Sequence, residues 1–207
     1  MSKREPTLRE RRYAETRRAI QAHAVRLFTE RGYDAVTVAD VAEAAGVSAM
    51  TVYRHFATKE DLVLLEQPAE LIAARVAASP PTQPVVRRVA GALVDAAAEF
   101  TGGGDGPAAN ERFLLDCLRL MVATPALRAR HLDGQYVLQQ AVVDALGADA
   151  ATPDAEFRAR AATSACLAVM HTALTRWVEE DGRTSLPELI AHALAASFGD
   201  DAVGRRG

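Results

Sequence analysis

The sequence predicts an all-helical protein. Apolar residues recur at helical spacing nearly throughout, strand-type alternation is almost absent, and alanine, the best helix former, is abundant. The expected architecture is about nine helices, a three-helix head built on a helix-turn-helix followed by a larger helical body. Hydrophobic residues make up 49% of the 207 and charged residues 25%, an ordinary globular composition that excludes a wholly disordered chain. Aromatics are only 5%, so alanine and branched aliphatics must fill the core.

The first helix is expected from near Arg12 to near Arg31. Ile20, Ala24, Leu27 and Phe28 share one face of it, and Gly32 is a natural stop. Three short helices follow, each with a start signal. Thr37-Val-Ala-Asp40 fits a capping box, Ser48 can accept from the N–H groups of the next turn, and Thr58-Lys-Glu-Asp61 fits a further box opening the fourth helix. Gly46 supplies the left-handed backbone that a tight helix–helix turn needs. Pro68 predicts a kink or break in the fourth helix, and Ser79-Pro-Pro-Thr82 a connection. Further helices are expected at about 83–100, 108–122, 125–147, 153–181 and 186–198. Pro153 suits the start of the eighth, Gly182 its end, and Ser185-Leu-Pro-Glu188 a cap for the last. The glycine-rich stretch Thr101–Pro107 reads as a surface loop and residues 200–207 as a disordered tail.

Net charge is -3, but its distribution is uneven. Residues 1–31 hold nine Lys/Arg against four Asp/Glu, whereas residues 66–207 hold thirteen against eighteen. A basic head on an acidic body suits an anionic partner at one end only. Cys117 and Cys166 make no disulfide framework and read as buried small hydrophobes in a reducing cytosol. The first 30 residues lack an apolar signal segment and no run of about 18 apolar residues occurs, so a cytoplasmic chain without a membrane partner is expected. His131, His171 and His192 lack metal-ligand spacing, and Gly102-Gly-Gly104 lacks the strand and lysine of a phosphate loop. With no nucleophile–base set either, the reading is a non-enzyme without cofactor or metal.

The informative segment is Thr37-Val-Ala-Asp-Val-Ala-Glu-Ala-Ala-Gly-Val-Ser-Ala-Met-Thr-Val-Tyr-Arg-His-Phe56. Val41, Ala42, Ala45, Val47, Val52 and Phe56 can face inward, which leaves Ala49, Met50, Thr51, Tyr53, Arg54 and His55 largely outward. Such a helix suits a major groove, where Arg reads guanine edges and Thr or Met touches a thymine methyl. Tyr53, His55 and Lys59 can meet phosphate oxygens, which set register but not sequence. The alternatives are a packing role for Tyr53 and a local cap for His55.

These residues resemble the TetR family of bacterial transcriptional regulators. The likeness runs from about Thr16 to Leu65, through Phe28-x-x-x-Gly32-Tyr33, Thr37-Val-x-Asp-Val-Ala42, Ala45-Gly-Val-Ser48, Thr51-Val-Tyr-x-His-Phe56 and Lys59-Glu-x-Leu62. It implies a homodimer with one DNA head per subunit and a helical C-terminal domain holding an inducer. Carried over by position, the family's DNA contacts fall on Thr37, Ser48, Ala49, Met50, Thr51, Tyr53, Arg54, His55 and Lys59. Ala39 and Ala49 stand where relatives often carry polar or basic residues, so direct readout leans on Thr51, Arg54 and the arm. That arm carries Arg4, Arg9, Arg11 and Arg12, and either enters a minor groove or stays a solvated tail. The domains implied are a flexible basic arm (1–12), a helix-turn-helix domain (13–58), an effector-binding and dimerisation domain (59–199) and the tail.

The C-terminal body resembles the subgroup with acyl-CoA-like ligand-binding domains, to which the mycofactocin-associated regulators belong. The likeness rests on Thr124-Pro-Ala-Leu-Arg128 and on the alanine-rich helix ending in Thr175-Arg-Trp177. Candidate lining residues for an effector are Phe100, Phe113, Leu114, Cys117, Leu120, Met121, Tyr136, Gln140, Met170 and Leu174, with Arg119, Arg128 or Arg130 for an anionic head. The bland alternative is that most are simple core. The last two helices are expected to dimerise, through Ala161, Ala165, Ala168, Val169 and Ala173 and the stripe Leu186, Leu189, Ile190, Ala193, Leu194 and Phe198. The implied function is a repressor released from a palindromic double-stranded DNA operator by a small apolar or acyl-CoA-like effector. An activator or an effector-independent DNA-binding regulator remains the alternative.

Overall fold

The computed structural model describes residues 7–64, 69–102, 107–147 and 152–202. Among them the chain forms α1 (Leu8–Arg31), α2 (Val38–Ala44), α3 (Ala49–His55), α4 (Ala69–Ala78), α5 (Val85–Gly102), α6 (Pro107–Ala123), α7 (Pro125–Leu146), α8 (Pro153–Glu179) and α9 (Leu186–Phe198). Glu60–Leu62 and Asp200–Ala202 are 3₁₀ turns, and no described residue lies in a strand. The expectation of an all-helical chain with about nine helices holds among the described residues. The chain divides into two compact units, one of Met1–Glu66 with Leu120–Arg128, the other of Gln67–Arg119 with Ala129–Gly207.

In the first unit α1 starts at Leu8, four residues before the expected Arg12. The cause is a capping box at Thr7: its N–H donates to Glu10 Oε2 (2.7 Å), and its hydroxyl accepts from the Glu10 N–H (3.3 Å). Arg9, Arg11 and Arg12 of the expected flexible arm are therefore helical, while Arg4 lies outside the described residues. Ile20, Ala24, Leu27 and Phe28 are buried as their spacing requires, and Val36, Val41, Val52, Phe56 and Leu62 are among the residues that share the core of this unit. The Thr58–Asp61 box forms, with the Asp61 N–H donating to Thr58 Oγ1 at 3.3 Å. It opens only the 3₁₀ turn and not the fourth helix, which starts at Ala69; Leu65 and the expected break at Pro68 lie outside the described residues.

In the second unit α5 packs against α4, α8 and α9. Ala90, Ala92, Ala96 and Ala97 are among its buried residues and allow close helix approach. Arg88, buried on α5, donates from Nε to Ser79 Oγ (2.8 Å) and from its guanidinium to the Val76 carbonyl (2.9 Å), so it closes the end of α4. Thr152 caps α8, with Pro153 in the first turn. Its C-terminus is a Schellman turn: the Gly182 N–H donates to the Trp177 carbonyl (2.9 Å) and the Asp181 N–H to Val178 (3.1 Å). Asp181 and Gly182 both take the left-handed conformation (φ 55° and 69°), at the glycine expected to end the helix. Ser185 precedes α9 without a side-chain capping bond, contrary to expectation. Asp200–Ala202 are ordered, with Ala202 buried, so this part of the expected tail is structured; residues 203–207 and 103–106 lie outside the described set. Cys117 and Cys166 are free and buried, and burial pushes both thiols up to about 12.

The expected dimer stripe on α9 is corrected here. Leu186, Leu189, Ile190 and Leu194 are buried within the chain, where α9 packs on α5 and α8. An apolar stripe seeks a dry neighbour, and its spacing does not say whether that neighbour is in the same chain. The faces left exposed carry Phe157, Ala161, Ser164, Ala168 and Thr172 on α8, and Glu188, His192 and Ala196 on α9.

Trp177, the sole tryptophan, is fully buried and donates from Nε1 to the Thr184 carbonyl at 2.8 Å. Trp177→Ala is expected to lose about 3–5 kcal/mol of stability, read by urea unfolding in circular dichroism; a loss under about 1 kcal/mol would show that the α8–α9 joint does not anchor the unit. His131 on α7 faces His171 on α8, ring centroids 5.5 Å apart. Burial, then the neighbouring His171, pushes the His131 pKa down to about 4. An unfolded histidine titrates near 6.5 and so takes up its proton first as pH falls. Stability therefore rises with pH from about 4 to about 6.5 and is flat above. Between pH 7 and pH 5 the wild type should lose about 2 kcal/mol through this group, and His131→Gln should lose less, as compared by urea midpoints at the two pH values.

Candidate nucleic-acid interface

The segment joining α2 to α3 is a second Schellman turn. The Val47 N–H donates to the Ala42 carbonyl (3.0 Å) and the Gly46 N–H to Glu43 (3.1 Å), with Gly46 at φ 66°. A β-carbon is strained at that φ, which is why glycine stands there. Both helices are capped from their own first turns. Thr37 exchanges bonds with Asp40, at 2.7 Å from its N–H to Oδ2 and 3.2 Å in return. Those hydrogen bonds hold the Asp40 carboxyl below the usual range. Ser48 Oγ accepts from the Thr51 N–H (3.1 Å) and lies 2.9 Å from the Thr51 hydroxyl. Thr37 and Ser48 thus have structural duties besides any contact with a partner.

Val52 and Phe56 are buried, which fixes the roll of α3. That roll leaves Met50 77% and Tyr53 54% exposed, with Ala49 and Arg54 also exposed and Thr51 half-buried. A thioether, a phenol and a guanidinium therefore share the open side of a short helix, a combination able to meet base edges and phosphates.

His55 departs from expectation: it is only 6% exposed. Its ring lies 4.2 Å from that of Tyr13, and Arg17 donates to its carbonyl while stacking 4.3 Å above the Phe56 ring. Burial, then the Arg54 and Arg17 charges, hold the imidazole below the usual histidine range. His55 serves as a joint between α1 and α3. Lys59 is also engaged. Its ammonium donates to the Tyr33 carbonyl (2.6 Å) and sits 4.2 Å from the Tyr33 ring centre, while the Tyr33 hydroxyl donates to Glu60 (3.0 Å). Tyr13 and Arg17 were not singled out from the sequence. Their signal is the i, i+4 spacing that sets both on one flank of α1.

The effector candidates do not line a single described cavity. Cys117, Met170 and Leu174 are buried in the second unit and Met121 in the first. Phe113, Leu114 and Leu120 are half-buried, whereas Phe100, Tyr136 and Gln140 are exposed. Gln140 bonds Asp144 at 2.7 Å. A groove of about 420 Å³ between α7 and α8, lined by Leu132, Gln135, Tyr136, Gln139, Ser164 and Leu167 among others, includes only Tyr136 of the ten. Of the three arginines offered for an anionic head, with surface pairing the alternative for Arg128 and Arg130, Arg119 is held by Asp116 (2.8 Å) and Asp181 (2.6 Å), and the exposed Arg128 donates to the Val122 carbonyl (3.2 Å). The described residues hold no group of three or more potential metal ligands, and none of their helices is long and apolar enough to cross a membrane.

Comparison with known proteins agrees with this geometry. Residues 20–65 match the bacterial regulatory proteins of the tetR family, and residues 100–197 match the MftR C-terminal domain. The HTH-type transcriptional regulator TcmR of Streptomyces glaucescens is 31% identical over 129 residues, 61% of this chain and 57% of TcmR. The HTH-type transcriptional repressor KstR2 of Mycobacterium tuberculosis is 48% identical over 40 residues, 19% of this chain and 20% of KstR2. The chain thus aligns with just over half of TcmR and a fifth of KstR2. Among solved structures, NalD, the secondary repressor of the MexAB-OprM multidrug efflux pump in Pseudomonas aeruginosa, superposes with a TM-score of 0.60 at 20% identity, covering 94% of this chain and 99% of NalD. FadR, the fatty acid degradation regulator from Bacillus halodurans, gives 0.58 at 20% identity, covering 99% of both chains. At such identities the likeness is one of fold. With its head and its C-terminal region both matched, the chain belongs to the tetR family of bacterial regulatory proteins and carries an MftR-type C-terminal domain.

Proposed function

We propose that the protein is a ligand-responsive transcriptional repressor that binds a palindromic DNA operator as a homodimer. The observation that carries this reading is α3: its apolar side is buried and its open side presents Met50, Tyr53 and Arg54. Arg54 reads a base, Met50 and Thr51 make apolar contacts with base edges, and Tyr53 meets a phosphate. Thr37, Ser48 and Ala49, at the N-terminal ends of α2 and α3, approach the DNA backbone, where helix N–H groups favour anions. Lys59 and His55 act chiefly by holding this surface in shape.

Two heads must sit about one DNA turn apart, roughly 34–36 Å, to read a palindrome. Dimerisation through the small exposed side chains of α8 and α9 would set that spacing by isologous symmetry. The effector, a small apolar or acyl-CoA-like molecule, binds the C-terminal domain among residues such as Phe113, Leu114, Cys117, Met170 and Leu174. It releases DNA only by its differential affinity for the two states. KstR2 and NalD are named as repressors, which supports that sign of regulation over activation.

The test is fluorescence anisotropy on DNA from upstream of the protein's own gene, with and without a long-chain acyl-CoA. Binding tighter than to a scrambled duplex, and release by the acyl-CoA, are expected; binding no tighter than to the scrambled duplex would count against the operator. Arg54→Ala should weaken specific binding by about 1–3 kcal/mol while leaving the scrambled duplex nearly unaffected. An unchanged operator affinity would remove Arg54 from the readout.

A further inference from the structure

We infer that α1 carries a second DNA-contacting surface, in which Arg9 meets a backbone phosphate beside the recognition helix. This rests on the reading of the head as DNA-binding. Tyr13 and Arg17 both reach the last residue of α3, one through its ring and the other through its carbonyl. Arg9, Tyr13 and Arg17 stand at i, i+4 and i+8, so they follow one flank of the helix. Arg9 therefore lies one turn, about 6 Å, beyond the point where α1 touches α3. The recognition helix lies in the major groove in this class of motif, with the phosphate backbone along its sides. A guanidinium one turn out along the touching flank of α1 reaches toward that backbone, and bidentate phosphate contacts suit it.

Three further observations support the assignment. Arg9 is exposed, so no burial withholds it from a partner. The Thr7–Glu10 capping box orders the turn that carries it, so docking does not require a floppy arm to be immobilised. His55, expected to contact phosphate, is instead buried against Tyr13, so it offers no cation at the end of α3. Arg11 serves as an internal control. It is also exposed but lies about 200° round the helix from Arg9.

The experiment uses the full-length protein on the upstream DNA and on a random-sequence 30-base-pair duplex, with affinity measured over a salt series. Each phosphate contact adds about 0.9 to the slope of log affinity against log salt. Arg9→Ala should lower the slope by about 1.8 for a dimer with two heads engaged. Arg9→Lys should keep most of it, and Arg11→Ala should leave it unchanged. Circular dichroism of each variant checks that α1 stays folded. A wild-type slope in Arg9→Ala, or an equal fall in Arg11→Ala, would overturn the inference, the latter by showing diffuse attraction without register. If the wild type binds neither duplex, the DNA-binding reading itself fails, an outcome distinct from the other two.

Discussion

The exposed side of α3 depends on how the end of that helix is held. α3 has only seven residues, too few to be stable alone, so its orientation comes from tertiary contacts. At its C-terminus the backbone turns extended at Phe56, and the His55 carbonyl is left without an intrahelical partner. Arg17 of α1 supplies the donor while its guanidinium covers the Phe56 ring, so one cation satisfies a carbonyl and stacks on an aromatic. With Val52 and Phe56 buried below, α3 has one roll, and Met50, Tyr53 and Arg54 emerge on its open side as a consequence.

The same economy recurs along the chain. Few aromatics are present, and charged side chains do much of the closing of helix ends. Arg88 closes α4, Lys59 takes the Tyr33 carbonyl, and Arg119 holds Asp181 at the turn after α8. Such hydrogen bonds to charged groups stabilise by about 1.5–3 kcal/mol each where they are shielded, and far less at the surface. The buried alanines of α5 serve a related end in the second unit, since small side chains let three helices approach one.

The second unit also holds a polar seam without an evident packing role. His131 and His171 face one another between α7 and α8, Gln135 lies 3.1 Å from His131 Nε2, and Gln139 donates to Ser164 and to the Arg160 carbonyl. These histidine and glutamine side chains are half-buried along the groove between α7 and α8, and the partial burial of His131 resists its protonation and lowers stability in acid. This seam belongs to the domain expected to bind an effector, and its polar residues are not among the apolar candidates that the sequence offers.

The sequence by itself determined the helical class, the order of the helices and the head motif, because these rest on local chemistry. Capping pairs such as Thr37–Asp40, the glycine at Gly46 and the i, i+4 spacing of Ile20, Ala24 and Phe28 act over a few residues and can be read in order. Even the early start of α1 was written there, as Thr7 and Glu10. What only the tertiary structure decided is which partner each face meets. His55 looked outward by exclusion, yet Tyr13 covers it from more than forty residues away. The stripe on α9 was legible as apolar, but whether α5 and α8 or a second subunit would cover it was not. Arg119 and Gln140 were legible as polar, but not as already paired with Asp181 and Asp144. The physical reason is common to all of these. Periodicity states that a face must be buried or a charge answered, and the neighbour that does so is chosen by long-range packing, which no local pattern encodes.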